Sequence, residues 1–285
     1  MGLLFWKLGG VKMRKNTYII RRIILLIITF IYLLPFFWMI GTSLKPDSEL
    51  LTFPPKIFPQ NPDWSNYKKA LEKFPFFLYL KNSIIITIGN LVGVVFSAPF
   101  VAYGFSKIKW RGRNFFFAVM MASIMLPGAV TMIPVFLIYK HLGWLDTFLP
   151  LIVPAFLGGG AMNVFLIRQF FNTIPNEIIE AAKIDGASDF KIFFKIMLPL
   201  SKPVLALVSL FTFTGTWNNY MGPLIYITSE TKYPLALGMP MFMSRYGTYW
   251  NQAMAAATLT LIPTIIFFFI AQKYLIEGIK LTGIK

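Results

Sequence analysis

Ile23-Ile-Leu-Leu-Ile-Ile-Thr-Phe-Ile-Tyr-Leu-Leu-Pro-Phe-Phe-Trp-Met-Ile-Gly-Thr42 is a run of twenty residues without a single charge. At 1.5 Å per residue, a helix of that length is about 30 Å long, the thickness of the hydrocarbon core of a bilayer. Arg21 and Arg22 stand before the run and Lys45 just after it, so groups that prefer water mark both of its ends. Gly41, Thr42 and Ser43 are small enough for a cleavage site. The run is nevertheless longer than the apolar part of a secretory signal, and it reads as a retained spanning helix.

Similar runs recur at 84–106, 115–139, 149–167, 204–228 and 253–272. With the first, at 22–44, they predict an all-α integral membrane fold of six spanning helices. The expected organisation is a single transmembrane domain over 1–285: an external loop at 45–82, core spans over 83–275, and a polar loop at 172–203 among them. Composition agrees, with 56% hydrophobic and 13% charged residues, far from the average of soluble domains. A formal charge of +16 would suggest a nucleic-acid partner in a soluble protein. Here the cations lie between apolar runs, so they report topology and no nucleic acid is expected. With the amino terminus inside, 18 of the 27 Lys and Arg residues fall on the cytoplasmic side, which predicts both termini in the cytoplasm. Of the other nine, six lie in the long first external loop, where the charge rule weakens.

Several chemistries are excluded or disfavoured. There is no cysteine, hence no disulfide, thiolate metal site or thiol catalysis, and the lone His141, beside Lys140, reads as a solvated loop residue. No metal site is expected, and the spans hold no carboxylate for a hydrolytic or redox centre, so the chain reads as no enzyme. No G-x-x-x-x-G-K-[ST] occurs, so nothing here cradles a nucleotide phosphate and energy must come from another chain. An ion-coupled carrier is the alternative of a different class. Its difficulty is that no Asp, Glu, Lys, Arg or His lies deep in the core of the spans.

The first external loop carries Pro46, Pro54, Pro55, Pro59, Pro62 and Pro75, which argue against one long helix there. Gly89 and Gly93, then Ala98 and Ala102, stand four apart and let another helix approach the backbone closely. Pro127, Gly128 and Pro134 in the third span, and Gly215, Gly222 and Pro223 in the fifth, predict kinks. Such breaks survive in lipid where neighbouring helices, side chains or a water-lined cavity satisfy the freed backbone groups.

Between the fourth and fifth spans runs Ile174-Pro-Asn-Glu-Ile-Ile-Glu-Ala-Ala-Lys-Ile-Asp-Gly-Ala-Ser-Asp-Phe-Lys-Ile-Phe-Phe-Lys-Ile-Met-Leu-Pro199, longer than a plain connection needs. It predicts two short helices. Thr173 is placed to cap the first, Pro175 to stand in its first turn, Glu177 to oppose its dipole and Gly186 to stop it, and Ser188 and Asp189 begin the second. Ile178, Ala181, Ala182 and Asp185 recur at helical spacing as a face of small residues, suited to a larger partner. An interfacial helix lying on lipid would favour a basic polar face and bulky anchors instead.

These residues resemble a known family. Glu180-Ala181-Ala182, Gly186 after three residues, and Ile196-Met197-Leu198-Pro199 after nine more are similar to the EAA motif of ABC importer permeases, at the place in the chain where that family carries it. Ser43-Leu44-Lys45-Pro46, Pro54-Pro55, Asn66-Tyr67, Gly215-Thr216-Trp217-Asn218 and Gly278-Ile279-Lys280-Leu281-Thr282-Gly283-Ile284-Lys285 extend the resemblance to the carbohydrate-uptake branch and its maltose-permease G-type subunit. The resemblance implies a type I importer permease of a bacterial cytoplasmic membrane. It also implies a second permease subunit, two ATP-binding subunits that hold ATP and magnesium, and an extracellular or periplasmic solute-binding protein. Glu180, Ala181, Ala182, Asp185, Gly186, Ile196, Leu198 and Pro199 would then form the coupling surface for the ATPase.

The implied cargo is a sugar or oligosaccharide, with phosphorylated glycerol as the competitor within the same branch. Sugars need hydrogen-bonding groups and flat apolar faces. Trp217, Asn218, Asn219 and Tyr220, with Asn90, Ser123, Asn163 and Thr258, are the candidates to line a path, although each can equally be interhelical glue or an interfacial anchor. Tyr246, Gly247, Tyr249 and Trp250 are the candidates to meet the binding protein.

Overall fold

The structure, a computed structural model, describes residues 15–244 and 247–282. Its first helix, α1 (Lys15–Ser43), is the opening apolar run with a polar turn added, and Pro35 sits inside it. The side of α1 is bare, with large apolar residues exposed from 19 to 38, while its carboxyl end is tied down. Helix ends leave carbonyls without partners, and here two buried amides supply them. Asn66 Nδ2 donates to the carbonyls of Ser43 (3.0 Å) and Lys45 (2.9 Å), and Asn251 Nδ2 donates to that of Lys45 (3.1 Å). Ser43 Oγ also meets Tyr67 OH at 2.8 Å. Two of the short motifs that carried the family resemblance thus lie against each other.

The proline-rich loop that follows is irregular except for one turn at Asp47–Glu49 and α2 (Ser65–Glu72). The second span, α3 (Phe76–Ser106), starts eight residues before the expected 84. Lys81, Asn82 and Ser83 had masked it by lowering the local hydropathy, yet Asn82 Nδ2 donates to the carbonyls of Thr231 and Tyr233 and Ser83 Oγ accepts from Leu235 N. Polar residues enter this helix because the loop that packs on it offers backbone partners.

The third expected span is two helices, α4 (Arg113–Ser123) and α5 (Gly128–His141), bent by 99° at the Pro127-Gly128 step. His141 is the last residue of α5, not a loop residue, and its Nδ1 lies 2.8 Å from the Leu137 carbonyl. The fourth span runs six residues further than expected, over Leu149–Thr173. Its helical bonding is interrupted: α6 (Leu149–Ile152) passes through a tight turn at Val153–Phe156 and three glycines, Gly158, Gly159 and Gly160, all at positive φ, before α7 (Ala161–Thr173).

After α7 come α8 (Asn176–Ile184), α9 (Asp189–Ile192), a wide turn at Phe193–Met197, α10 (Leu198–Leu200) and α11 (Lys202–Trp217). The stretch Asp189–Leu200 meets α11 at 75°, a bend with no counterpart in the sequence reading. Gly215 lies inside α11 without breaking it, whereas Asn218, Asn219 and Tyr220 separate α11 from α12 (Met221–Tyr226). Beyond α13 (Leu235–Gly238), the strands β1 (Met243–Ser244) and β2 (Gly247–Thr248) pair antiparallel, and α14 (Trp250–Thr282) closes the chain. Four described stretches are long and apolar enough to cross a membrane as they stand, and the two bent pairs raise the number to as many as six.

Two apolar clusters hold these parts together, one at each end of α3. At its start, Phe76 and Tyr79 pack with Trp217, Leu235, Phe242 and Ala255. At its end, Val94, Ala98, Ala102 and Tyr103 pack with Val164, Ile167 and Phe171 of α7 and with residues of α8 and α9. The stripe of small residues makes the second cluster possible. A Cβ added to Gly93 would lie 2.8 Å from Ala155 Cβ and 3.0 Å from the Ala155 carbonyl carbon, and one on Gly89 would lie 2.8 Å from Ile152. Gly93→Ala should therefore force α3 and the fourth span apart and cost about 1–3 kcal/mol, as overpacking does. Gly104→Ala, on the same helix with nothing within 4 Å, should leave stability unchanged or slightly raised. Thermal unfolding of the two variants in one detergent checks the contrast.

Candidate functional site

The loop between α7 and α11 is built from the inside outward. Ile174, Ile179, Ala182, Ile192, Phe193 and Met197 are buried and join the inner cluster, with Phe193 stacked on Phe100 of α3 at 4.4 Å between centroids. Lys107, just past α3, donates from Nζ to the Ile174 carbonyl (2.7 Å) and to Asn176 Oδ1 (2.8 Å). Burial lowers the pKa of Lys107, and Glu177 acts against that shift. The sequence reading passed over Lys107 because only folding brings it to a carbonyl 67 residues away.

The glycine stop is a complete local motif. Gly186 N donates to the Lys183 carbonyl and Ala187 N to the Ala182 carbonyl, with Gly186 at φ +77°, the double bond pattern that ends many helices. Ser188 Oγ then accepts from Lys191 N to open α9, and Lys183 and Asp189 pair across the turn at 3.1 Å. Thr173 does not cap α8. Its hydroxyl donates back to the Phe170 carbonyl inside α7, and Pro175, expected in the first turn, stands before it as the residue preceding α8.

The face of small residues also divides differently. Ala182 points into the protein's own core, while Glu180, Ala181, Asp185 and Ile178 are exposed. Two bulky apolar side chains join that outer surface, Ile184 at 87% and Phe190 at 72% exposure. Neither was singled out from the sequence, because helical spacing does not tell which side of a short helix faces the core. Ile196 and Leu198 are half-buried behind this surface, and Pro199 is exposed.

The polar residues of the spans are scattered, and most serve broken backbone. Asn90 Nδ2 donates to the Leu151 carbonyl (2.7 Å), and Asn163 Nδ2 to that of Gly159 (2.8 Å), both in the interrupted fourth span. Asn218 Nδ2 donates to the Thr214 carbonyl, and Asn219 Oδ1 accepts from Gly222 N at the gap between α11 and α12. Trp217 is buried, with its Nε1 on the Thr260 carbonyl and its ring stacked on Phe213. Ser123 and Thr258 bond within their own helices.

Tyr220 and Trp250, from different groups of sequence candidates, line one open cavity of about 390 Å³ with Met239, Phe242, Met243 and Thr248. Gly247 lies in the β1–β2 hairpin, Tyr249 carries Lys73 Nζ 4.2 Å above its ring, and Tyr246 lies outside the described residues, as do Gly283, Ile284 and Lys285.

Asp146 is the strongest polar centre that the sequence reading missed. It adopts φ +56°, uncommon for a residue with a side chain. Its carboxylate accepts from Lys232 Nζ, Ser229 Oγ and the backbone N–H groups of Thr228 and Ser229. This clasp joins the loop after α5 to the loop after α12.

The profile of the family described as binding-protein-dependent transport system inner membrane component matches residues 89–281. The arabinooligosaccharides transport system permease protein AraQ of Bacillus subtilis is 30% identical, over 91% of this chain and 93% of that protein. The maltose/maltodextrin transport system permease protein MalG of Photorhabdus laumondii is 30% identical over 92% and 94%. Among solved structures, a chain of a bacterial ABC transporter for import of the acidic polysaccharide alginate superposes with a TM-score of 0.76 at 26% identity, covering 93% of this chain and 99% of that one.

Lys232 first, then Ser229, holds the Asp146 carboxyl far below the usual carboxylate range. A depressed pKa in the folded state stabilises the fold fully above the ordinary carboxylate value, and the effect is lost as pH falls towards the depressed one. Asp146→Asn tolerates the same backbone and removes the charge. It should melt earlier than wild type by a constant margin between about pH 5 and 8, and the margin should begin to narrow below about pH 4. Melting curves across that range measure it.

Proposed function

Since the chain belongs to the family of binding-protein-dependent transport system inner membrane components and is thus a multi-pass permease subunit of an ABC importer, we propose that it carries a sugar or oligosaccharide. In this reading it forms half of the pathway beside a second permease subunit, with both termini in the cytoplasm. Two ATP-binding subunits, holding ATP and magnesium, drive it from the loop at 172–203, and an external solute-binding protein delivers the cargo. Relatives named for arabinooligosaccharides, maltodextrins and alginate support the cargo class. The aromatic faces of Tyr220 and Trp250 in one cavity suit the apolar face of a sugar ring.

The observation that carries the coupling assignment is the two-sided build of α8 and α9. On one side, Ile179, Ala182, Ile192 and Phe193 are locked into the core of α3 and α7. On the other, Ile184, Phe190 and Ala181 stand exposed beside Glu180 and Asp185. An apolar knob with a charged rim, Glu180 and Asp185 beside Lys183 and Lys191, on a base packed into the core, is suited to a cleft in a partner protein. The 75° bend at Ser201 joins that base directly to α11, so a displacement of the knob passes into the membrane through covalent chain.

Ile184→Asp and Phe190→Asp should reduce co-purification of the ATP-binding subunits and substrate-stimulated hydrolysis at least tenfold, without changing the order of preference over a panel of sugars. A Cβ at Gly186 meets no neighbouring atom within 4 Å, so the damage of Gly186→Val begins with the left-handed backbone, a penalty of about 1–2 kcal/mol. It should lower coupling with less loss of protein level. The purified chain alone should hydrolyse no ATP. The coupling assignment is wrong if the two Asp variants keep assembly and stimulated hydrolysis while altering which sugar is carried.

A further inference from the structure

We propose that the loop between α1 and α2 is a lipid-inserting finger, whose tip at 51–58 enters the interfacial layer of the bilayer beside the end of α1. The loop holds a definite shape. Asp63 N donates to the Leu44 carbonyl at 2.8 Å and closes its base, while Gln60 N donates to Glu49 Oε2 at 3.0 Å across its waist. Between these braces every residue from 51 to 58 is exposed, Leu51 at 92% and Phe53 at 95%.

Depth is set by Gly41. A Cβ there would lie 1.9 Å from the Ile57 carbonyl oxygen and 3.6 Å from the Phe58 ring, so the returning limb lies directly on the last turn of α1. Gly41 is the penultimate residue of the uncharged run at 23–42, which is itself about as long as the hydrocarbon core is thick. Ile57 and Phe58 therefore sit at the edge of the hydrocarbon, within the interfacial layer and not above it.

The chemistry of the tip suits that level. Pro54 and Pro55 have no N–H to leave unsatisfied in a poorly hydrated layer. Lys56 is the tip's single charge, and its long stem lets the ammonium reach water from such a position. Ile57 and Phe58 lie against the last turn of α1, whose apolar side chains are themselves exposed. Polar groups stand at the base and waist, where Asp47, Ser48, Gln60 and Asn61 are exposed, and leave the apolar side chains to the tip, the division an interfacial segment needs. Which leaflet is entered rests on the topology proposed above, but contact with lipid does not.

The chain has no native cysteine, so single cysteines at Leu51, Phe53 and Lys68 can each carry a bimane fluorophore. Lys68, on α2, has a side chain 80% exposed and is the control in water. The variants are produced with their partner subunits and reconstituted in phosphatidylethanolamine–phosphatidylglycerol vesicles. Quenching is then compared between iodide in the buffer and a lipid bearing a nitroxide near the carbonyl end of its acyl chain. Labels at 51 and 53 should be quenched at least twofold more by the lipid nitroxide than the label at 68, and at least twofold less by iodide. Iodide quenching equal to that at 68 would put the tip in water and overturn the proposal. Protection from both quenchers would overturn it in favour of a covering protein, and recovery of iodide access on omitting the binding protein would name that cover. The readout needs no transport, so a wrong cargo or coupling assignment leaves it unaffected.

Discussion

The close approach of α3 to the fourth span is the contact on which the other parts of the structure rest. It requires hydrogen in place of a side chain at Gly93, where a Cβ would fall 2.8 Å from Ala155, and a methyl at Ala98, which lies under Gly159. In lipid, helices gain little from hiding apolar surface from one another, so close van der Waals fit and interhelical hydrogen bonds must supply the attraction. The fit of α3 on this segment positions α7. From α7 and α3 together the inner cluster extends to Ile179, Ile192 and Phe193, so the loop between α7 and α11 is seated on the same contact.

That fit is reached with a fourth span whose helix is broken, and a broken helix in lipid must find internal partners for its freed carbonyls. Ser97 Oγ donates to the Ala155 carbonyl, Asn90 Nδ2 to that of Leu151 and Asn163 Nδ2 to that of Gly159. The same logic holds at the gap after α11, where Asn218 and Asn219 bond the backbone on either side. Polar residues in an apolar span attract attention as substrate ligands, but here each of these amides already bonds the backbone through at least one of its groups. Tyr220 and Trp250, from two different groups of candidates, line one cavity.

Charge follows the same division between held and free groups. The Asp146–Lys232 clasp is tied by several hydrogen bonds and joins two loops at one end of the molecule. At the other end Lys107 secures the carbonyl of Ile174. The Lys183–Asp189 pair lies about half exposed, where a single ion pair is worth about 0–1 kcal/mol. The turn at Gly186 therefore depends on its backbone geometry and on the apolar anchors below it more than on that pair.

Much of the architecture was legible in the residues alone, because hydropathy over twenty residues and punctuation by glycine and proline are local properties. The bilayer class, the stop at Gly186, the start at Ser188, the break at Pro127 and the small-residue stripe on α3 all follow from side chains read in order. The EAA-type motif likewise marked its loop without knowledge of the fold. Tertiary structure alone decided which way short elements face and what lies across from them. Ala182 turns inward while Ile184 and Phe190 turn outward because α8 spans little more than two turns and α9 only one, and packing on α3 and α7 selects the buried side of each. The early start of α3 was hidden by Asn82 and Ser83, whose bonding partners are roughly 150 residues distant. Asp146 carried no signal until Thr228, Ser229 and Lys232 were brought around it. Local sequence sets the conformations a segment can adopt, whereas long-range contact decides which polar groups find partners and which surfaces are left open.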